Sequence, residues 1–412
     1  MSAIRPFRAL RPAPEAAARV ASVPYDVVST GEARVLADGN PLSFLHVTRS
    51  EIDLPDGANP YAANVYAKAR ASLEEIRRAA PLVTEAEPSL YLYRLRMGEH
   101  EQTGVAGCFS VDEYDSGLIK KHEKTRPDKE DDRTRHIVET RAQTGVVFLT
   151  YQASSEIDRL EDAACAGAPL FELTAADGVR HQIWRVGGAE AAAIVDAFGR
   201  VPALYIADGH HRAASAARAR TALRTAEPAT AEPPNDGEAG WFIAVAFPDN
   251  QIQILPYNRV VKDLAGRAPA ELLRELSARA PVTAGTSTPA GRGRVSMFLD
   301  GAWHEIDLRG LEPASPGPAD ALDVAVLEHH VLRGLLGIED VRTDKRIDFV
   351  GGIRGTSELE SRVRGGQAAV AFAMHPVTIA DLMTVSDTGG IMPPKSTWFE
   401  PKLRDGLLIH EI

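Results

Sequence analysis

Residues 201–220, VPALYIADGHHRAASAARAR, constrain this chain more than any other stretch. Residues 201–207 form an apolar run of strand length, with strand-like bulk at Leu204, Tyr205 and Ile206. Asp208-Gly209 is a turn signal. Residues 213–220 are rich in alanine and have high helix propensity. The expected order is strand, tight turn, helix. His210, His211 and Arg212 fall between the turn and the helix.

That order has chemical consequences. The first turn of a helix carries unpaired backbone N–H groups and the positive end of the helix dipole. A strand-to-helix junction with a glycine is therefore a ready anion site. Gly209 lets the backbone approach closely, and Arg212 adds a planar fork that can grip two phosphate oxygens. His210 and His211 add donors or proton carriers near neutral pH. Asp208 could cap the helix, hold a histidine tautomer, or take a proton from a hydroxyl. The plainer reading is a capped helix whose histidines only pack. Four polar groups at one helix start favour a phosphate-handling site with acid–base residues in it.

A second stretch, residues 117–151, is dense in charge of both signs from Lys120 to Arg133. Mixed charge usually marks a solvated helix laced with ion pairs. Thr125-Arg126-Pro127 interrupts this run, so one clean helix is not expected. His122-Glu123 beside several cations suits a nucleotide and a hydroxyl. Glu123 is then the candidate base, and Lys124, Lys129 and Arg133 offset phosphate charge. Residues 145–151 read as a buried strand. Lys395 lies in a Gly- and Pro-bounded loop. It reads equally as a surface lysine or as a cation that contacts phosphate.

Composition sets the limits. The chain has 412 residues, enough for two or three domains. The divisions expected are residues 1–115, 116–265 and 266–412. A net charge of −11 argues against broad binding to nucleic acid or acidic membrane, which needs a positive field. Cys108 and Cys165 form no Cys-x-x-Cys pair, so neither a disulfide framework nor a zinc site is expected. No residue is singled out as a metal ligand. No apolar run is long enough to cross a bilayer, and the default location is cytoplasmic.

Elsewhere, Ser29 or Thr30 caps a helix with Glu32 in its first turn. Residues 43–49 alternate and predict a strand, and residues 61–80 predict a long amphipathic helix. Residues 221–240, rich in Ala, Pro, Glu and Thr, predict a flexible insertion. Residues 241–247 and 252–261 predict a strand hairpin. Residues 294–299 and 303–308 predict another, turning at Asp300-Gly301. Residues 407–412 predict a closing strand.

The run Asp208-Gly209-His210-His211-Arg212 resembles the signature of the ParB/sulfiredoxin-like superfold, and within it the free-serine kinases. A wider set of residues resembles the bacterial family labelled DUF1015. The set includes Pro24-Tyr25-Asp26-Val27, residues 40–47, His122-Glu123-Lys124-Thr125, Lys129, Asp132-Arg133 and residues 255–264. Residues 392–399 and Pro401-Lys402-Leu403 complete it. Tyr257-Asn258 and Gly145-Val146 depart from that family's pattern.

These resemblances imply an α/β (α+β) fold with a ParB/sulfiredoxin-like core and further mixed-sheet N- and C-terminal regions. They imply a nucleotide-dependent kinase acting on the hydroxyl of free L-serine or a similar metabolite. Asp208, His210, His211 and Arg212 would hold phosphates, and Glu123 would be the base. Mg2+ with ATP or ADP is the expected cofactor. The expected partners are a small-molecule substrate and a nucleotide, with no nucleic acid or membrane, and a homodimer is allowed. The alternatives are a nucleotide-binding hydrolase or switch, and a non-catalytic regulatory protein that keeps the fold.

Overall fold

The structure, a computed structural model, describes residues 3–79, 82–226 and 237–412. The chain forms two compact units. Met1–Ile252 with Pro401–Ile412 make the first, and Gln253–Glu400 make the second. Neither expected boundary, after residue 115 or after residue 265, coincides with this division.

The first unit is built on a nine-stranded mixed sheet. Its strands are β1 (Ile4–Arg5), β2 (Leu90–Met97), β3 (His100–Ser110), β4 (Ile119–Lys120), β5 (Val147–Tyr151), β6 (Phe171–Thr174), β7 (Arg180–Val186), β8 (Leu204–Asp208) and β9 (Trp241–Pro248). The spatial order is β4-β8-β5-β9-β3-β2-β7-β6, with β1 also paired to β3. β8 lies parallel to β4 and antiparallel to β5, while β9 lies parallel to β5 and antiparallel to β3. The central strands are apolar on both faces, as strands covered on both sides must be. Leu149, Leu204, Ile206, Phe109 and Phe242 join one core with Ile157, Ile194 and Phe198 from flanking helices.

Three helices matter to the site: α1 (Ala63–Ala79), α2 (Pro127–Thr140) and α3 (His210–Ala226). α2 starts where the fixed φ of Pro127 suits the first helical position, so the proline that breaks the charged run also opens its helix. In α3 the residues from Arg212 to Ala216 are all buried. Alanine and serine there leave room for neighbours on nearly every side. The Ser215 hydroxyl donates to the Glu130 carbonyl of α2 at 3.2 Å.

The second unit holds a six-stranded sheet. From edge to edge it runs Val282–Ala284, Ala302–Asp307, Arg294–Leu299, Val370–Ala373, Tyr257–Val261, Ile347–Gly351. The hairpin expected at Asp300-Gly301 is present, with both turn residues at positive φ, 50° and 79°.

Several expectations fail for physical reasons. Residues 43–49 contain a helix, Leu45–Thr48, rather than a strand. Phe44, Leu45, Val47 and Thr48 are buried, which is helical spacing and not alternation. Residues 241–247 and 252–261 form no hairpin. β9 already has β3 and β5 on its two edges, and Pro256 splits the later run into Gln253–Leu255 and Tyr257–Val261, which pair elsewhere. Residues 221–226 of the expected insertion continue α3, residues 237–240 form a 3-10 turn, and residues 227–236 lie outside the described residues. Of residues 407–412 only His410–Glu411 is a strand, paired with Ala142–Gln143. The cap holds: Ser29 and Glu32 form a reciprocal capping box.

Candidate active site

β8 ends in a bulge. Ile206 pairs with Leu149 and Asp208 with Phe148, so two steps of β8 oppose one of β5. A bulge of this kind re-aims a strand end. The chain then turns at Gly209, whose φ is +94°. An added Cβ would be strained there and would stand 3.1 Å from Arg212 Nε, so the position suits glycine. α3 follows at once. His210, His211 and Arg212 lie inside its first turn rather than before it, and the Ala213 N–H donates back to the Gly209 carbonyl at 3.0 Å.

The second arm of the site comes from β4. Because β4 and β8 are parallel neighbours, the segments after Lys120 and after Asp208 leave the sheet on the same side. Crevices outside the carboxyl ends of such strands are where ligands bind in α/β sheets. The two segments clasp each other. The His122 N–H donates to His210 Nε2 at 3.4 Å, and the Arg126 N–H donates to His211 Nε2 at 3.0 Å. The His122 and His210 rings pack edge to face, 4.4 Å between centroids. Glu123, partly exposed, places a carboxylate oxygen within 4.8 Å of ring nitrogens of both histidines.

Burial controls the charge of this clasp. It pulls the His122 pKa down to about 4, against the opposing pull of the Ile206 carbonyl and Asp208. It holds His210 well below the usual range, and His122 adds to that effect. Both rings are therefore neutral at physiological pH, which fits His210 Nε2 accepting a backbone hydrogen. The loss of water around Asp208 pushes its pKa up, but Lys402 and Arg212 outweigh that and hold the carboxylate ionised.

Arg212 ties the site to the rest of the unit. Its side chain is 6% exposed and its guanidinium donates to the Val146 carbonyl, to Asp208 at 3.1 Å and to Asp26 at 3.2 Å. Lys402 reaches the same Asp208 oxygen at 3.4 Å. In this arrangement Arg212 acts as a strut between strand end, helix start and N-terminal segment. Its Nε is buried with no hydrogen-bond partner, as is Asp405 Oδ2. A cavity of about 30 Å³, on the scale of one or two waters, lies against Arg212, Tyr25, Arg133, His136 and Gly145.

The remaining sequence candidates are spread out. Lys124 is exposed. Lys129 Nζ donates to the Tyr61 hydroxyl at 2.8 Å. Arg133 pairs with Asp132 at 2.9 Å, donates to the Thr48 carbonyl at 3.2 Å and lies 4.2 Å over the Tyr25 ring. Lys395 belongs to the second unit, where it has φ +59° and stands 5.5 Å from the centre of the Tyr257 ring. Sequence reasoning about the site named His122 only as the neighbour of Glu123, and missed Asp26, Lys402 and Asp405. The last three lie far from Arg212 in sequence, and no spacing rule joins them. Asp26 and Lys402 do sit in two of the stretches that carry the family resemblance.

Two outcomes follow from this network. Removing Arg212 takes a partner from Asp26 and the Val146 carbonyl and leaves Asp208 with Lys402, so Arg212→Ala should cost about 3 kcal/mol of stability. Urea unfolding measures it, and an unchanged midpoint would show that the guanidinium is no strut. Burial pushes the Asp405 carboxyl up to about 7, with Asp26 adding and Arg212 opposing. The unfolded value is ~4, so the folded state holds this proton more tightly. The resulting stabilisation is full below pH ~4 and is lost as pH rises towards about 7, by at most ~1.4 kcal/mol per pH unit. Asp405→Asn should flatten the fall in melting temperature between pH 5 and 8. The same slope in both proteins would assign the titration to another group.

Comparison with known proteins adds the family. No curated protein matches the sequence. Among solved structures, SbnI with a C-terminal truncation from Staphylococcus aureus is 14% identical, with a TM-score of 0.39 over 73% of this chain and 85% of that one. A conserved hypothetical protein from Pyrococcus furiosus is 13% identical, with a TM-score of 0.36 over 74% and 94%. A free serine kinase in complex with AMP is 12% identical, with a TM-score of 0.36 over 74% and 91%. Likenesses this loose leave the function to be argued from the geometry. The family described as "Protein of unknown function (DUF1015)" matches residues 4–325, and this chain belongs to it.

Proposed function

We propose that this protein is a small-molecule phosphotransferase, a nucleotide-dependent kinase acting on the hydroxyl of free L-serine or a similar metabolite. One observation carries the reading: the carboxylate of Glu123 is held beside the first turn of α3, at the carboxyl ends of two parallel strands. A base and an anion-binding helix start in one crevice are what transfer of phosphate to an alcohol requires. The resemblance of the Asp208-to-Arg212 run to free-serine kinases supports the choice of acceptor.

In this reading the phosphates lie against Gly209 and the first-turn N–H groups of α3. The bare backbone of Gly209 fits that role, since a Cβ would fill the space next to Arg212. Glu123 takes the proton from the acceptor hydroxyl. The hydroxyl oxygen bonds to the terminal phosphorus, and the bond from that phosphorus to the nucleotide's bridging oxygen breaks. The products are a phosphomonoester and a nucleotide one phosphate shorter. His210 and His211 hold the loop carrying Glu123 against the helix, and His211 does so through the Arg126 amide. Lys124 offsets charge from the same loop. Asp208 and Arg212 position the helix start. Mg2+ would neutralise phosphate charge when bound with ATP or ADP, and the carboxylate of Asp208 is the oxygen donor at hand.

Phosphorus NMR tests the reading. Protein with Mg2+ and ATP or ADP should yield a phosphomonoester signal only when L-serine is present. Glu123→Gln should lower that turnover by 10²- to 10⁴-fold while nucleotide binding persists. Unchanged turnover would remove Glu123 from the mechanism. Phosphate release indifferent to serine would favour a nucleotide hydrolase.

A further inference from the structure

Among the described residues, one group of three His, Cys or carboxylate side chains stands close enough to share an ion: His122, Glu123 and His210. Their donor atoms all lie within 4.8 Å of one another. His122 is 2% exposed, and although the Ile206 carbonyl lies near enough to act on the ring, neither buried ring nitrogen makes a hydrogen bond of good geometry. Leaving a buried polar group unmatched costs about 1–3 kcal/mol. A ring kept that way at the centre of a donor cluster points to a missing partner.

We propose that His122, Glu123 and His210 form a binding site for one divalent transition-metal ion of the zinc–cobalt–manganese class. Two imidazole nitrogens and one carboxylate oxygen are the donors such ions select. Mg2+ and Ca2+ prefer oxygen alone. Ligand atoms about 2 Å from a tetrahedral ion stand roughly 3.4 Å apart, so small side-chain rotations would close the set, with the ion taking the His210 lone pair in place of the long His122 N–H contact at 3.4 Å. Asp208, on the other side of the Gly209 turn, adds a negative field without being needed as a ligand. Three protein ligands leave a position open on the partly exposed side of Glu123.

The site needs neither nucleotide nor acceptor. It has one consequence that rests on the phosphotransfer reading: a transition metal on Glu123 draws charge from the carboxylate that would take the hydroxyl proton and so weakens it as a base. Zinc at this site would then inhibit a Mg2+-dependent reaction.

Co2+ titration of the chelator-treated full-length chain, without nucleotide, tests the site. One equivalent should produce visible d–d absorption, and Zn2+ should abolish it by displacement. His122→Ala and His210→Ala should each weaken Co2+ binding at least tenfold. Absence of the band in the native protein, or a band that both variants retain at native affinity, would overturn the proposal. If the variants do not fold, the native chain still decides. On adding Zn2+, two of the 12 histidines should shift their ring nitrogen-15 signals to metal-bound positions, and no such shift would overturn the site. Neither readout involves phosphate transfer, so failure here and failure of the kinase reading are separate results.

Discussion

A guanidinium sealed from water must find acceptors, because its desolvation is too expensive to leave uncompensated. Arg212 finds three: Asp208 at the end of a strand, Asp26 from the N-terminal segment, and the carbonyl of Val146 just before the neighbouring strand. These contacts fix where α3 begins relative to the sheet. The rest of the site inherits that position. Gly209 must turn with positive φ to deliver the chain to the helix, and His210 and His211 then face the loop from β4. Lys402, from the C-terminal segment that rejoins the first unit, balances the charge on Asp208.

The parallel pairing of β4 with β8 supplies the second condition. Both strands are short at this edge, yet their shared direction sends two chemically loaded segments out together. One carries a carboxylate and the other a helix start. The histidines that look from sequence like phosphate ligands instead spend ring nitrogens on the partner loop's backbone. Burial keeps the His210 ring neutral, which is what allows its Nε2 to accept the His122 hydrogen. The clasp thus positions Glu123.

Local features were legible in the sequence where local physics decides. The apolar run of β8, the turn at Asp208-Gly209 and the alanine-rich helix follow from propensity and turn chemistry. So do the Ser29–Glu32 capping box and the Asp300-Gly301 turn. Misreadings arose where burial overrode pattern. Residues 44–48 look strand-like in composition, but their buried positions follow a helical period. The expected hairpin after β9 fails because β9 has no free edge, a fact of sheet order rather than of β9's own residues.

For the candidate site, the sequence by itself determined the ingredients: a glycine turn into a helix with two histidines and an arginine, and a His-Glu pair in a charged loop. Those are nearest-neighbour properties, written in adjacent residues. Only the tertiary structure decided which ingredients meet. It turned Arg212 inward to Asp26 and Asp208, placed His122 against His210, brought Lys402 to Asp208 and buried Asp405 in the first unit. Contacts between residues far apart in sequence depend on strand order and on the cost of burying charge. Neither is fixed by spacing along the chain.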